Sequence, residues 1–571
     1  MLKREGLCDT IFRKYLRHKE EIMDHDHLAE LLFPDVNQSI EDLMEKYPPR
    51  ELKEGAIVSR MAPSPTGFVH LGNLVQGVTS ERLSHQSDGV LFLRIEDTDQ
   101  KREVEGAVEV LIDALKKFDI NFDEGATENG DSGNYGPYWQ RQRKDIYHVF
   151  AKELVKTGQA YPCFCTEEEL SDIRARQEAE KDNFGYFGKW AVWRDRPMED
   201  IEAKLNEGAE WVLRFRSEGS IENKIKFTDL IKGTMELTEN NMDIVLLKSD
   251  GIPTYHFAHV VDDTLMHTTH VVRGDEWLPS LPVHLQLFRA LGLKVPKYLH
   301  IGPLMKMDGN SKRKLSKRKD PELALTYYEK EGFPSQSVYE YVLTILNSNF
   351  EDWRAVNKDA DARSFKFSYK KMNPAGSLFD YAKLRDVSKN VISMMDTDTV
   401  YGLVTEWAKD YEPELCELLS RDPGYAKKIF AIGRGGKKPR KDIAVWSEVR
   451  DYAGLFYDEL FSILDSYPDT FDPKEIKEIL TEYLSVFDIN DDQNAWFDKI
   501  KALSEKFGYA SDMKAYREDP SAFKGSVADV SMFLRIAVTG KMSSPDMYTV
   551  MQILGEERTL GRIRDMIGKL N

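Results

Sequence analysis

From Ala56 the chain alternates between two hydrophobic periodicities. IVSRMAPSP (57–65) reads as a strand running into a proline-punctuated loop, and TGFVHLGNL (66–74) as a turn into a helix start. VLFLRIED (90–97) is a short, nearly continuous apolar run ending in acids, which suits a buried strand. Val104, Ala107, Val108, Leu111, Leu115 and Phe118 then follow at helical spacing. Strand, helix, strand, helix is the pattern of a parallel α/β sheet.

The rest of the chain is organised around that unit. Residues 1–55 are charged, with Ile11, Phe12, Tyr15 and Leu16 at helical spacing, and end in the linker-like YPPRELKEG; this predicts a helical N-terminal extension. Residues 56–140 form the first half of the sheet domain, 141–242 an insertion, and 243–310 the second half, where strand signals return in MDIVLLKSDG and THVVRGDE. Residues 311–375 hold a basic loop and a connecting region, and 376–571 read as helical. In FDPKEIKEILTEYLSVF, Asp472 is placed to cap, Pro473 sits at the first helical position and Glu475 completes a capping-box-like start. Ile476, Ile479, Leu480, Tyr483, Leu484 and Phe487 make one apolar stripe on that helix.

Composition bounds the class. The 571 residues are 41% hydrophobic and 11% aromatic, enough for several cores, so global disorder is excluded. Four cysteines (Cys8, Cys163, Cys165, Cys416) do not make a disulfide framework and suit a reducing compartment. No apolar run approaches the roughly 20 residues that cross a bilayer, and none has signal-peptide form. The expectation is a cytoplasmic protein with no membrane partner. The net charge of −18 argues against nucleic acid at first sight, but charge is a sum and binding is local.

Two motifs point to nucleotide chemistry. Pro63-Ser-Pro-Thr-Gly67-Phe-Val-His70-Leu-Gly72-Asn73 lies between a strand and a helix, where glycines admit a bulky ligand and a helix N-terminus offers free N–H groups to phosphate. His70 is placed to donate to a phosphate oxygen; a tight loop with a structural histidine fits the same residues. Lys312-Arg-Lys-Leu-Ser-Lys-Arg-Lys319 sets six basic side chains in eight positions. Such a run is commonly a solvated face or a nucleic-acid contact, and here it is also placed to close over a triphosphate and stabilise departing pyrophosphate.

These residues carry a resemblance. HLGN (70–73) resembles the HIGH motif and KLSKR (314–318) the KMSKS loop of class I aminoacyl-tRNA synthetases. PSPTG (63–67), LRIEDTD (93–99), PYWQ (137–140), YPCFC (161–165), PTYHFAHVVDD (253–263) and VVRGDEWLPSLP (272–282) follow in the order of the glutamyl-tRNA synthetases of bacterial type. The resemblance implies a Rossmann-like catalytic domain with an inserted acceptor-stem-binding domain, a stem-contact region, and an all-α anticodon-binding region. It implies activation of L-glutamate with ATP and transfer to the terminal adenosine of tRNA(Glu), with Mg²⁺ accompanying ATP.

By the same similarity His70, Gly72, Lys314, Ser316 and Lys317 hold ATP, with His70, Gly72, Lys314 and Lys317 catalytic, and Trp277 packs near the adenine, although a core tryptophan beside a strand end fits that position too. Arg60, Ala62, Ser64, Glu96, Tyr255, His259 and Arg273 surround glutamate. A γ-carboxylate asks for a cation in bidentate geometry, which Arg60 and Arg273 supply, while Glu96 receives the α-ammonium. His259 stands where relatives carry a small polar residue, so its protonation is expected to matter near neutral pH. Arg434, Lys437, Lys438, Arg440 and Lys441 form a basic loop read as a tRNA contact; a solvated loop fits the same residues.

Zinc is not expected. Cys163-x-Cys165 resembles half of a site, but YFGKWAVWR (186–194) holds no second ligand pair, and His148 lies on a predicted helix where a lone histidine is structural. Glutaminyl enzymes read PEPNG and FDDTN where this chain reads PSPTG and IEDTD, and the shorter relatives that modify queuosine lack an anticodon region. A nucleotidyltransferase without RNA leaves the helical C-terminus unexplained, and an inactive synthetase-like protein would be favoured by loss of His70, Gly72 or Lys317, all present. A monomer is the expected state.

Overall fold

A computed structural model describes residues 23–99, 101 and 103–570; Cys8 and the apolar positions Ile11, Phe12, Tyr15 and Leu16 lie outside the described residues. The chain divides into two compact units, 1–325 with 342–379, and 326–341 with 380–571.

The first unit is built on the expected alternation. Strand β1 (Val58–Met61) leads into helix α3 (Leu71–His85), β2 (Val90–Leu93), α4 (Ala107–Lys117) and β3 (Glu124–Thr127). β1 pairs parallel with β2 and β2 parallel with β3, and short β4 (Gly130–Ser132) closes that edge antiparallel. All four residues of β1 are buried, as are Leu91, Phe92 and Leu93, which explains why these strands read as unbroken apolar runs. Much later in sequence, β10 (His270–Gly274), α9 (Leu281–Ala290) and β11 (Lys297–Ile301) repeat the unit, with β10 parallel to β11. The halves join where the Thr269 N–H donates to Val58 O (3.0 Å) and the Val58 N–H donates to Thr269 Oγ1 (2.9 Å). β1 thus lies beside β10, and the two ladders, β4-β3-β2-β1 and β10-β11, stand in the order 4-3-2-1-10-11. The direction of winding reverses between β1 and β10, so a crevice opens beyond their C-terminal ends.

Among the described residues two helices precede the sheet, α1 (His25–Leu32) and α2 (Ile40–Lys46), the latter started by a Ser39–Asp42 capping box. The strap after them is pinned to the sheet domain. Arg50 donates to both oxygens of Glu124 (2.8 and 2.9 Å) and to Met266 O (3.1 Å).

Between β4 and β10 come α5 (Lys144–Lys156), β5 (Ala160–Cys163), α6 (Glu167–Glu180), α7 (Met198–Asn206), β6 (Val212–Phe215), the hairpin β7 (Lys224–Asp229) and β8 (Gly233–Thr238), β9 (Val245–Leu247) and α8 (Tyr255–Leu265). One reading changes here. MDIVLLKSDG does form a strand, but β9 pairs antiparallel with β6 in the sheet β5-β6-β9 and not with the parallel sheet. A three-residue apolar run does not specify its partner; the antiparallel neighbours come from the folding back of the insertion. His148 on α5 bonds Gly251 O (2.9 Å) in a structural role. Cys163 and Cys165 both face the Tyr186 hydroxyl, at 3.4 and 3.5 Å.

The second unit is helical. Its core joins Trp407, Trp446, Ile476, Ile479, Leu480, Tyr483, Phe533 and Met551 among many others. Helix Pro473–Val486 begins as read, with Asp472 accepting from the Lys474 N–H, and Ile476, Ile479, Leu480 and Tyr483 are buried. Glu475 departs from the capping-box reading: its carboxylate instead meets the Tyr509 hydroxyl (3.3 Å) and the Lys524 ammonium. Two tertiary donors outcompete one local N–H.

Candidate active site

The crevice has a phosphate side and a cationic side. On the first, His70 is the N-cap of α3. Its Nδ1 accepts from the Asn73 N–H (3.2 Å), while the Asn73 side chain accepts from the His70 N–H (3.0 Å). Asn73, the departure from the family motif, thus closes a capping box in which histidine replaces serine. Burial lowers the pKa of His70, Glu276 partly opposes, and Lys314 and Lys317 lower it further. The neutral ring with Nδ1 accepting must carry its proton on Nε2, leaving one N–H donor beside the free amides of the helix start. Gly72 makes this possible: a Cβ there would stand 2.8 Å from His70 Cε1 and 2.9 Å from Nδ1.

The basic loop comes from a hairpin. β12 (Leu304–Asp308) pairs antiparallel with β13 (Ser311–Lys314), and the chain then turns at buried Leu315. Asp320 organises this turn. It accepts both ends of the Arg313 guanidinium (2.6 and 2.8 Å) and the Ser316 N–H (2.9 Å), which drives its carboxyl far below the usual range. Arg313 is therefore spent on the loop itself, whereas Lys314 and Lys317 are exposed. The following segment returns to α3, where the Leu325 N–H donates to Val69 O (3.3 Å). Lys317 Nζ lies 3.8 Å from the Phe68 ring centre, two residues before His70 in sequence. Ser64, exposed, and Gly67 line a cavity with His70 and Asn73.

On the cationic side, Arg60 (β1) and Arg273 (β10) are almost wholly buried. Arg60 Nε donates to Asp263 (3.1 and 3.3 Å) and Nη1 to Val272 O (3.3 Å); among the described residues its Nη2 has no hydrogen-bond partner. Arg273 Nε donates to His300 Nε2 (3.0 Å), Nη1 to the Tyr255 hydroxyl (3.1 Å), and Nη2 weakly to Trp277 O (3.4 Å). Asp263 also accepts from Arg94 Nη1 (2.7 Å) and Thr268 (3.2 Å); burial would raise its pKa, but Arg60 and Arg94 hold it well below the usual range. Without such pairing, buried guanidinium groups would cost several kcal/mol each.

Glu96 lies just past β2, its N–H bonded to Pro63 O (3.0 Å) and its carboxylate 3.5 Å from Arg94. Burial pushes its pKa up to about 7, against the pull of Arg94 and Arg60. Tyr255 begins α8 and packs on half-exposed Trp277, ring centres 4.4 Å apart. Ala62 is half-buried at the end of β1.

The expectation for His259 changes. It is fully buried, bonded through Nε2 to the Tyr298 hydroxyl (2.8 Å), with Asp263 Oδ2 2.8 Å from Nδ1 but poorly aligned. Burial brings its pKa down to about 3, opposed by Asp263 and assisted by Arg273 and Arg60. It stays neutral near pH 7 and cannot act as a switch there. The sequence reading missed Asp263, Arg94 and His300. Adjacent acids at 262–263 on an apolar helix were the available signal, since buried charges need partners.

In the helical unit, Arg434 turns inward and donates to Phe430 O (2.7 Å), Ile392 O (2.5 Å) and Met395 O (3.2 Å). Arg440 pairs with Asp442 (2.7 and 3.0 Å), and Lys437, Lys438 and Lys441 are exposed. A cavity of about 560 Å³ is lined by Trp496, Phe497, Arg535, Pro545 and Met547 among others. Arg535 Nε is buried there without a hydrogen-bond partner. Among the described residues no group of three or more His, Cys, Asp or Glu is placed to hold a metal ion. No helix among them is long and apolar enough to cross a membrane.

A histidine-capped helix, a lysine-bearing loop returning to it, and a winding reversal between β1 and β10 make a site for nucleotide phosphates, and the class is shown by the sequence matches. The family model of the class I (E and Q) catalytic domain matches residues 56–386, and an anticodon-binding domain model matches 438–567. The chain is 50% identical over 548 residues to the glutamate–tRNA ligase of Acetivibrio thermocellus, covering 95% of this chain and 100% of that one. It is 49% identical over 546 residues to that of Clostridium perfringens strain 13, with the same coverage. A crystal structure of a glutamate tRNA ligase from Elizabethkingia meningosepticum in complex with its amino acid matches with TM-score 0.73 and 27% identity, over 90% of this chain and 100% of that one. The chain belongs to the glutamate–tRNA ligase family.

Proposed function

We propose that this chain activates L-glutamate with ATP and transfers the glutamyl group to the terminal adenosine of tRNA(Glu). The observation that carries this reading is the meeting, at one strand-end crevice, of two buried arginines with a neutral histidine donor and exposed lysines. A glutamate carboxylate oxygen attacks the α-phosphorus, the bond to the bridging oxygen breaks, and pyrophosphate leaves. The ribose 2′-hydroxyl then attacks the acyl carbon and AMP departs. Both steps need positioning and charge stabilisation, and no protein nucleophile.

In this reading the α3 amides and His70 Nε2–H receive the phosphates, and Lys314, Ser316 and Lys317 hold them as charge develops. Trp277 covers the adenine. Arg60 Nη2 and Arg273 Nη2 take the γ-carboxylate, the second giving up only its long bond to Trp277 O. Ser64 and Tyr255 add neutral donors, Ala62 forms a wall, and Glu96 takes the α-ammonium, with His259 supporting from beneath. Among the described residues the phosphate side presents cations and no group of three or more metal-ligating side chains, which fits a Mg²⁺ carried mainly by the phosphates and water, where it would offset phosphate charge.

Because Glu96 binds ammonium only when ionised, kcat/KM for glutamate should rise about tenfold between pH 6 and pH 8 with a midpoint near 7. A profile flat across that window in ATP–pyrophosphate exchange removes Glu96 from this role.

We assign the catalytic domain to 56–140 and 243–310, apart from β9, which completes the sheet of the insertion, the acceptor-binding insertion to 141–242, stem contacts to 311–375 and anticodon binding to 376–571. One chain holds every group this reaction uses, so a monomer suffices; the cytoplasm is its working compartment. Lys437, Lys438, Arg440 and Lys441 meet the RNA backbone, and the cavity beside Phe497 and Arg535 suits an unstacked base. Replacing Lys437, Lys438 and Lys441 with alanine should weaken tRNA binding and lower the salt slope by about one per lost phosphate contact. An unchanged slope in binding isotherms across salt would remove the loop from the interface. Arg434→Ala should instead lower Tm, because three carbonyls lose their donor.

A further inference from the structure

The two arginines of the pocket are held differently. Arg60 leans on a carboxylate, whereas Arg273 leans on a neutral imidazole. Arg273 and His300 are direct cross-strand partners of β10 and β11, so their side chains emerge on one face of the sheet. The Arg273 Nε–H donates to His300 Nε2 at 3.0 Å. His300 Nδ1 stands 2.7 Å from Asp229 Oδ2, and the side chains of His300 and Asp229 are both fully buried. Arginine has donors only, so Nε2 must be the acceptor and the ring proton must sit on Nδ1, donated to Asp229. That assignment asks for a neutral ring; burial lowers the pKa of His300, Asp229 opposing and Arg273 adding to the lowering.

Asp229 is itself over-determined. Its Oδ1 accepts the Ile231 and Lys232 N–H groups (2.9 and 2.8 Å), and Oδ2 accepts the His300 N–H (3.2 Å). It closes β7 in the hairpin β7–β8, which belongs to the insertion, and the adjoining Leu230 N–H donates to Tyr298 O on β11 (2.9 Å). Lys232, at the same turn, donates to Asp275 Oδ2 (2.7 Å), two residues before Trp277. The hairpin turn thus reaches both the arginine and the segment that follows it.

We propose that Asp229 and His300 are positioning residues for glutamate recognition: the carboxylate fixes the imidazole tautomer, and the imidazole, with Tyr255 and His284 on Nη1, fixes the plane of the Arg273 guanidinium so that its Nη2 meets the substrate γ-carboxylate. This rests on Arg273 being a glutamate ligand. A guanidinium N–H donates within the plane of the group, so rotation about Nε costs recognition through Nη2 while leaving the charge in place.

Asp229→Asn distinguishes this role from simple packing. With the oxygen of the introduced amide kept toward the Ile231 and Lys232 N–H groups, the amide NH₂ meets His300 Nδ1. The ring proton must then move to Nε2, where it confronts the Arg273 Nε–H. The reverse amide orientation sets NH₂ against two backbone donors. His300→Leu removes the acceptor, whereas His300→Asn retains an acceptor for Arg273 and a donor for Asp229.

The test is glutamate-dependent ATP–pyrophosphate exchange with tRNA present, on the full-length enzyme, with Tm measured alongside. Asp229→Asn and His300→Leu should raise the glutamate KM about tenfold or more, with the ATP KM and kcat within about twofold of wild type, and His300→Asn should recover most of the loss. In an Arg273→Lys background, whose point charge has no plane to orient, Asp229→Asn should add less than about twofold. If Arg273→Lys itself leaves the glutamate KM at the wild-type value, the reading of Arg273 as a ligand fails. If Arg273→Lys raises it but Asp229→Asn does not, or if Asp229→Asn acts equally in both backgrounds or moves both KM values together, the positioning role is overturned.

Discussion

Gly72→Ala is expected to cost about 10²–10³ in kcat while leaving the fold intact. The added methyl would occupy the space of the His70 ring, 2.8 Å from Cε1. The ring must leave, and both its bond to the Asn73 N–H and its Nε2–H donor leave with it. Stability should change little because two terms oppose: alanine is favoured over glycine in a helix by up to about 1 kcal/mol, and loss of a side-chain cap costs about the same. Thermal unfolding and single-turnover adenylate formation measure the two separately. A variant with lowered Tm and unchanged rate would mean that the glycine serves only the helix.

Lys317→Ala carries the second large effect. Its ammonium lies beside Phe68 and is exposed, so removing it costs the fold no more than a surface cation–π contact, about 0.5–1 kcal/mol. If it meets charge that develops on departing pyrophosphate, adenylate formation should slow by about 10²–10³ with glutamate KM nearly unchanged. Lys312→Ala, on the strand of the same hairpin, should change that rate less than about threefold, which separates a positioned charge from a basic field. Equal effects of both substitutions on rate would place the loop's role in general attraction of anions.

The two sides of the site differ in how far the sequence revealed them. The histidine, the glycines and the lysine loop were legible because phosphate binding is local: a strand end, a turn and a helix start bring the donors together within a dozen residues. The alternation that begins at Ala56 was legible for the same reason, since each crossover is short. The arginine pocket was only half visible. Arg60 and Arg273 stand out as cations at strand ends, but the groups that orient them come from 203 residues away in sequence at Asp263 and from the insertion at Asp229. Nothing in a linear pattern pairs such positions. His259 illustrates the limit most sharply: composition marks a titratable group near neutrality, and burial removes it from that range. β9 does likewise for the fold, since a run of three apolar residues cannot choose between two sheets.

The net charge of −18, which first argues against RNA, is compatible with both units once its distribution is seen. Cations collect at 312–319 and 437–441, while Arg313 within the first cluster and Arg434 before the second are consumed internally.

The most direct measurement is aminoacylation of purified tRNA(Glu) with ATP and either glutamate or glutamine. The buried arginine pair predicts glutamate transfer with glutamine rejected, because a neutral amide offers the two Nη2 donors a single acceptor oxygen and leaves Arg273, held by neutral groups, without a counter-charge. Failure to transfer glutamate to tRNA(Glu), or equal transfer of glutamine, would contradict the account.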